Sequence, residues 1–469
     1  MLSLIKGPGE LTRPLGRRDS RQRGRERVAR MAALVRELGD PHLAYPVVHV
    51  AGTSGKGSVC TFVAGICRAS GLKTGSHLTP YLQTPLEKLV VNDQLASREE
   101  LVELVEWFER RRDSARTPGL LSEPRYGPTW VALTFEYFRR RKVDIAVIEA
   151  GAGGRYDLTN VVVPVVAAVT SVGLDHVLSL GPTLLDIARH KAGVFKQGAP
   201  AIAIHTGDDV LASLKRHAGE AGAVFQPIRP GVDFWPEAVT EGRDRLTYLG
   251  RNFSVRKAEL GLLGAHQVEN AAVACAITDT MADAGYPITQ GAVERGLAVA
   301  RLQGRWETVS DSPNVVLDGA HNPDKAAALA AVLRERKRGR RLAVVVGVLG
   351  YKAAAAIVDE LASAADLFIA TEPTVYRKAS LPAVDLGRMT RSTGVETLVR
   401  TDPLEAVGTA VDWAGPDGIV CVTGSLYLVG QVRERWYPAR EIDSQRTPYP
   451  AYADEASCHS PAPFGDRLG

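Results

Sequence analysis

The sequence predicts an α/β protein in which a phosphate-loop domain is followed by a second, Rossmann-like α/β unit. Three observations predict it. Between Pro46 and Ser70 an apolar, β-branched run enters a glycine-rich turn and then an apolar series at helical spacing. Further short apolar strands, at Asp144–Glu149, Val165–Val172 and Ala199–Ile204, alternate with helical patterns. Beyond residue 300 the alternation begins again, with strands at Val315–Leu317, Leu342–Val348, Leu367–Thr371 and Ile419–Thr423.

In chain order, residues 1–20 carry Gly, Pro and Arg and read as a flexible N-terminus. Arg21–Leu38 reads as a helix with Val28, Met31, Leu34, Val35 and Leu38 on one face, stopped by Gly39-Asp40-Pro41. The strand carrying Val47, Val48 and Val50 leads into Gly52-Thr53-Ser54-Gly55-Lys56-Gly57-Ser58. Val59, Phe62, Val63, Ile66 and Cys67 then mark a helix up to Gly71. A strand, a glycine turn and a helix point backbone N–H groups and a helix N-terminus at a polyphosphate. Lys56 is placed to reach the outer phosphates, and the Ser58 hydroxyl to approach magnesium or a phosphate.

A polar, proline-containing stretch from His77 to Leu82 reads as a loop near the phosphates, and Ser97–Arg112 as an amphipathic helix. A Pro/Gly-rich loop over Thr117–Pro128 precedes a helix at Trp130–Arg141. The strand ending at Glu149 runs into a second glycine loop, Ala150 to Asp157, at the strand edge where open α/β sheets gather ligands. Thr183–Val194 reads as a helix bearing His190 and Lys191, residues 205–262 as short strands and turns, and Gly264–Gln267 as the opening of another helix. Past Arg440 the composition turns to Pro, Ser, Asp and Tyr, which reads as a disordered tail over residues 441–469.

Net charge is +4, too mild to argue for a nucleic-acid partner. No apolar run reaches the ~18 residues of a membrane span, and the N-terminus lacks a signal peptide's apolar core. Cys60, Cys67, Cys275, Cys421 and Cys458 show no paired metal-ligand spacing and fit a reducing compartment. The expectation is a cytoplasmic protein acting on small molecules, without a nucleic-acid or membrane partner.

Eight motifs then stand in order: AGTSGKGS (51–58), VIEAGAGGRYDLTN (147–160), TSVGLDH (170–176), ARHKAGVFK (188–196), HQVENAA (266–272), GRWE (304–307), LDGAHNP (317–323) and VTGSLYLVG (422–430). In these the chain resembles the Mur ligase superfamily, most closely its folylpolyglutamate synthase/dihydrofolate synthase branch, from about Arg27 to Arg435. The resemblance implies a P-loop, Mur-ligase-type central ATPase domain over residues 21–299 and a glutamate-binding domain over 300–440. It implies a monomer that uses ATP and one or two Mg2+ to turn a carboxylate of dihydropteroate or a reduced folate into an acyl phosphate, which L-glutamate then attacks.

It also implies residue roles. Lys56 and the loop Gly52–Ser58 hold the phosphates; Asn270, Arg305 and Asp318 serve the nucleotide; Ser58, Thr79, Glu149 and His176 serve magnesium. Lys191 matches a lysine that relatives carbamylate, and His321 lines the cleft for the incoming amino acid, with Ser425 and Tyr427 as further contacts. Tyr81, Lys88 and Asp157 fall to the substrate acid, and a hinge near 298–303 is implied between the domains. The chain departs from its relatives at Tyr81, where histidine is usual, at Lys88, where arginine is usual, and at Ser54, where asparagine is usual. Two alternatives stay open: the same ligation on another acid or amino acid, and a P-loop ATPase or kinase without ligation.

Overall fold

The computed structural model describes residues 17–113, 126–240, 242–350, 352–375 and 378–451. The chain forms two units. One takes the residues up to Tyr81 and Pro85–Arg301; the other takes Leu82–Thr84 and the chain from Leu302 onward.

The first unit is built on an eight-stranded sheet. Its strands are β1 (Val47–Ala51), β2 (Thr74–His77), β3 (Val90–Val91), β4 (Gln94–Leu95), β5 (Ile145–Glu149), β6 (Val166–Val169), β7 (Pro200–Ile204) and β8 (Val224–Ile228). They lie in the order β4-β3-β2-β5-β1-β6-β7-β8. All pairings are parallel except those of the small β3 and β4 edge. Every residue of β1 and β5 is buried, as a strand covered on both faces requires. Register sets where the connecting turns lie. Val50 pairs with Glu149 on one side and Ala168 on the other, so β1, β5 and β6 end level. The turns after them therefore emerge side by side.

A three-stranded antiparallel sheet completes this unit: β9 (Phe234–Thr240), β10 (Arg243–Leu249) and β11 (Ser254–Glu259), in the order β11-β10-β9. The region 205–262 departs from its sequence reading. Asp208–Glu220 is a helix, which buries Val210, Ser213, Leu214, His217 and Ala218 at three- and four-residue steps. The 117–128 loop is corrected in part: a helix already runs over Tyr126–Arg141, while residues 117–125 lie outside the described residues. The first helix spans Arg17–Glu37, and residues 1–16 of the expected flexible N-terminus lie outside the described residues.

The second unit holds β12 (Glu307–Asp311), β13 (Asn314–Leu317), β14 (Leu342–Val346), β15 (Leu367–Ala370), β16 (Glu396–Val399) and β17 (Ile419–Thr423). Their order is β12-β13-β17-β14-β15-β16, parallel except for β12. The expected tail is corrected over 441–451. Arg433, wholly buried, pairs with Glu307 at 2.9 and 3.1 Å and donates to the Pro448 carbonyl at 2.7 Å. Its guanidinium also stacks over Tyr437 and Tyr449, 4.3 and 5.3 Å from the ring centroids. These contacts, with Ile442 buried in the helix Ala439–Gln445, fix a stretch whose composition alone reads as loose. Residues 452–469 lie outside the described residues.

Among the described residues, no helix is long and apolar enough to cross a membrane. Cys60, Cys67, Cys275 and Cys421 are free and buried, and Cys458 lies outside the described residues.

Candidate active site

In the first unit, the turn after β1 is pinned from β6. The Thr53 amide donates to the Ser171 carbonyl at 2.8 Å, and the Thr53 hydroxyl exchanges two 3.0 Å bonds with the backbone of Gly173. The Ser54 amide donates to Ser171 Oγ at 3.1 Å. Glycine is required at two points. Gly55 has φ +81°, and a Cβ there would stand 2.0 Å from Asn270 Oδ1; a Cβ on Gly52 would stand 1.7 Å from Thr170 Oγ1. The helix Lys56–Ala69 begins at once, and the N–H groups of its first turn have no carbonyl of their own helix to reach. A helix end of this kind is suited to an anion.

Lys56 folds back over this turn. Its Nζ donates to the Gly52 carbonyl at 3.1 Å and lies 3.7 Å from Glu149 Oε1. Glu149, at the end of β5, accepts the Thr79 amide on Oε2 at 3.0 Å. Ser58 is buried in the first helical turn. Glu149, Lys56, Ser58, Thr79 and the glycine turn are thus gathered at one sheet edge, as the register dictates.

A magnesium ion bound with polyphosphate needs only one or two carboxylates, the phosphates and water. The buried Glu149 carboxylate beside Lys56, with the Ser58 hydroxyl in the first helical turn, fits that modest donor set. His176 is placed differently: it is exposed, in a left-handed conformation with φ 52°, at the head of the short helix Val177–Leu180. Among the described residues no three His, Cys, Asp or Glu side chains form a metal cage. Lys191 closes the helix Leu184–Lys191 and is almost wholly buried, at 2% exposure. A Cβ on Gly154 would stand 2.9 Å from its carbonyl, so this lysine packs against the second glycine loop.

Lys88 and Tyr81 come together, with the ammonium 5.7 Å from the ring centroid. Burial lowers the Lys88 pKa, against the attraction of Glu149, Glu87 and Asp157. Asp157 is held by a chain of hydrogen bonds that the sequence reading missed. The Thr159 hydroxyl donates to Asp157 Oδ1 at 2.6 Å, and the Thr159 amide donates to the same oxygen at 3.0 Å. That hydroxyl's one hydrogen is therefore used, so His49 Nε2, 2.9 Å away, must donate to Thr159 Oγ1. Asp157 Oδ2 is left pressed on the glycine loop, 2.8 Å from where a Gly151 Cβ would stand. A histidine inside an apolar strand gives no sign of this, because its partner lies 110 residues away.

Asn270 lies against the phosphate turn through its Oδ1, and its Nδ2 donates to Gln267 at 2.9 Å. In the second unit, Asp318 uses its two oxygens on two backbone amides, one on the turn before β12 and one on its own loop. Oδ2 accepts the Trp306 amide and Oδ1 the Ala320 amide, each at 2.9 Å. Arg305 Nη1 donates to the Gly304 carbonyl at 2.9 Å and leans on the Gly319 turn. His321 lies in the same turn after β13, its Nδ1 2.7 Å from the Gly319 carbonyl. Ser425, after β17, caps the helix Leu426–Arg433 by accepting the Tyr427 amide at 3.1 Å. Lys378 meets the Tyr427 hydroxyl. Asp318, His321 and Ser425 thus stand on the turns after two paired parallel strands.

The chain is similar to known proteins over both units. Residues 127–278 match the Mur ligase middle domain, and residues 304–426 the Mur ligase glutamate ligase domain. The dihydrofolate synthase/folylpolyglutamate synthase of Escherichia coli is 35% identical over 88% of this chain and 90% of its own length. A probable bifunctional folylpolyglutamate synthase/dihydropteroate synthase of Halobacterium salinarum is 36% identical over 88% of this chain, which spans half the length of that relative. The solved structure of Mycobacterium tuberculosis folylpolyglutamate synthase complexed with ADP is similar with a TM-score of 0.80 at 28% identity, covering 87% of this chain and 94% of that one. With motifs, fold and relatives in accord, the chain belongs to the folylpolyglutamate synthase/dihydrofolate synthase family of Mur ligases.

Proposed function

We propose that this protein is an ATP-dependent ligase that joins L-glutamate to a folate-type carboxylic acid through an acyl phosphate. The observation that carries the reading is the phosphate turn with Lys56 folded over it beside Glu149. In the first step a carboxylate oxygen of the acid attacks the γ-phosphorus of ATP, and the bond to the β-phosphate oxygen breaks to leave ADP. Charge neutralisation and alignment dominate such a transfer. The amides at the start of the helix Lys56–Ala69 and the Lys56 ammonium supply both. Glu149, Ser58 and Thr79 would hold a magnesium ion, with His176 as an outer candidate, and the ion would neutralise phosphate charge. In the second step the glutamate amine, having lost a proton, attacks the acyl carbon, and phosphate leaves.

Other residues serve the nucleotide and the two substrates. Asn270 shapes the phosphate turn, and Arg305 and Asp318 order the second unit's Gly304–Ala320 loops. Tyr81, Lys88 and Asp157 receive the acid, while His321 and Ser425 belong to the amino-acid side. Lys191, nearly wholly buried, is proposed to be carbamylated on the strength of the family resemblance. A monomer in the cytoplasm completes the reading. The Lys88–Tyr81 pair favours one further reading, an acid other than a folate, because an ammonium over a ring replaces the planar fork of an arginine. Offering dihydropteroate and tetrahydrofolate separately, and measuring product mass, tests this: a gain of one glutamyl unit on either acid supports the folate reading. No product with either acid would assign the ligation elsewhere.

A further inference from the structure

Lys325 stands in the first turn of the helix Pro323–Lys337, just past β13. Its Nζ lies 3.3 Å from His321 Nε2. The hydrogen positions between them are dictated by chemistry. The Gly319 carbonyl can only accept, so His321 Nδ1, 2.7 Å away, carries the hydrogen and donates. Nε2 is then a lone pair, and the Lys325 ammonium donates to it. Burial, together with the neighbouring cations Lys325, Lys352 and Arg305, holds the His321 pKa well below its ordinary value, so the ring is neutral. A neutral imidazole orients an ammonium without cancelling its charge.

A second, independent observation lies next to it. Asn322 caps the helix through Oδ1, which accepts the Lys325 amide at 2.9 Å. Its Nδ2 is buried without a hydrogen-bond partner among the described residues, in a side chain only 5% exposed. A buried amide N–H left unmade is costly unless a ligand supplies the acceptor. The Lys325 ammonium and the unmet Asn322 amide donor, three residues apart at the start of one helix, form a donor set suited to an acceptor-only group. A carboxylate is such a group.

We propose that Lys325 reads a carboxylate of the incoming dicarboxylic amino acid, with the Asn322 carboxamide as the second donor. This rests on the ligase reading and adds the residue that sets amino-acid specificity. The test compares kcat/KM for L-glutamate, L-glutamine and L-isoglutamine in the wild type, Lys325→Met and Lys325→Arg. Glutamine neutralises the side-chain carboxylate and isoglutamine the α-carboxylate, so the two arms tell which is read. In Lys325→Met the KM for glutamate should rise about tenfold to a hundredfold, the range for one lost charge-assisted hydrogen bond. Discrimination against one of the amides should collapse by the same factor, with the KM for ATP unchanged and Lys325→Arg largely retaining selectivity. Intact ligation in Lys325→Met with both discrimination ratios unchanged would overturn the role of Lys325 alone. A wild type that releases no glutamate-dependent phosphate would contradict the ligase reading, and this proposal with it.

Discussion

The two units end their parallel sheets in different kinds of chemistry. In the first, backbone does most of the work: a turn whose glycines admit no Cβ, followed by a helix whose first amides face outward. In the second, side chains gather at the strand ends: Asp318, His321 and Asn322 after β13, Lys325 in the helix that follows, and Ser425 after β17. A site made of backbone is fixed by steric rules and carries a strong sequence signature. One made of side chains depends on which strands lie together, which local sequence does not disclose.

Changes in the first unit should therefore act on nucleotide chemistry and changes in the second on the amino acid or on stability. The largest effect is expected at Lys56. Lys56→Met removes the cation over the phosphate turn and should lower kcat by about 10²–10³-fold, as the loss of a preorganised electrostatic group does. Retained glutamate-dependent turnover near the wild-type rate would break the contrast.

Glu307→Ala, in the second unit, leaves the wholly buried Arg433 guanidinium without its carboxylate. Urea unfolding should show a loss of about 3–5 kcal/mol, the cost of uncovering one half of a buried ion pair. An unchanged midpoint would show that the tyrosine stack and the Pro448 carbonyl suffice.

Gly55→Ala probes the backbone side of the contrast. At φ +81°, with Asn270 Oδ1 in the way, it should cost about 1–3 kcal/mol and weaken ADP binding, and the Gly55→Ala/Asn270→Ala pair should recover part of that loss. No recovery would place the cost in the backbone conformation alone.

The pH dependence of stability tests the buried histidines of the first unit. Burial lowers the pKa of His49 and of His77 from the ordinary 6.5 to about 3. As pH falls the unfolded chain takes up these protons first. The stability gained by keeping the rings neutral is thus complete above pH 6.5 and is lost from there down toward pH 3. Each ring contributes a slope of at most about 1.4 kcal/mol per pH unit. Urea midpoints should fall between about pH 7 and pH 5, less steeply in His49→Gln. Equal slopes in the two proteins would leave His49 with no part in the effect.

Much of the first unit's site is legible in the sequence alone. The turn Gly52–Ser58 and Glu149 lie at the ends of strands whose apolar runs are plain, and the strand register then sets them side by side. The helix Asp208–Glu220 escapes a sequence reading because it is short and lies between two short strands, Pro200–Ile204 and Val224–Ile228, in a stretch of many turns. Residues 441–451 read as loose because their composition is polar, yet one guanidinium with several partners holds Pro448 and Tyr449. His49 and Lys325 are invisible for a related reason. Each acquires meaning from hydrogen-bond direction, and direction is a property of the assembled neighbours rather than of any motif.

The decisive measurement is phosphate release from ATP and magnesium, with dihydropteroate or tetrahydrofolate offered with and without L-glutamate. Release is expected only when an acid and glutamate are both present, with a product heavier by one glutamyl unit. Phosphate released from ATP alone, or a stable phosphorylated acid formed without need of the amine, would contradict ligation.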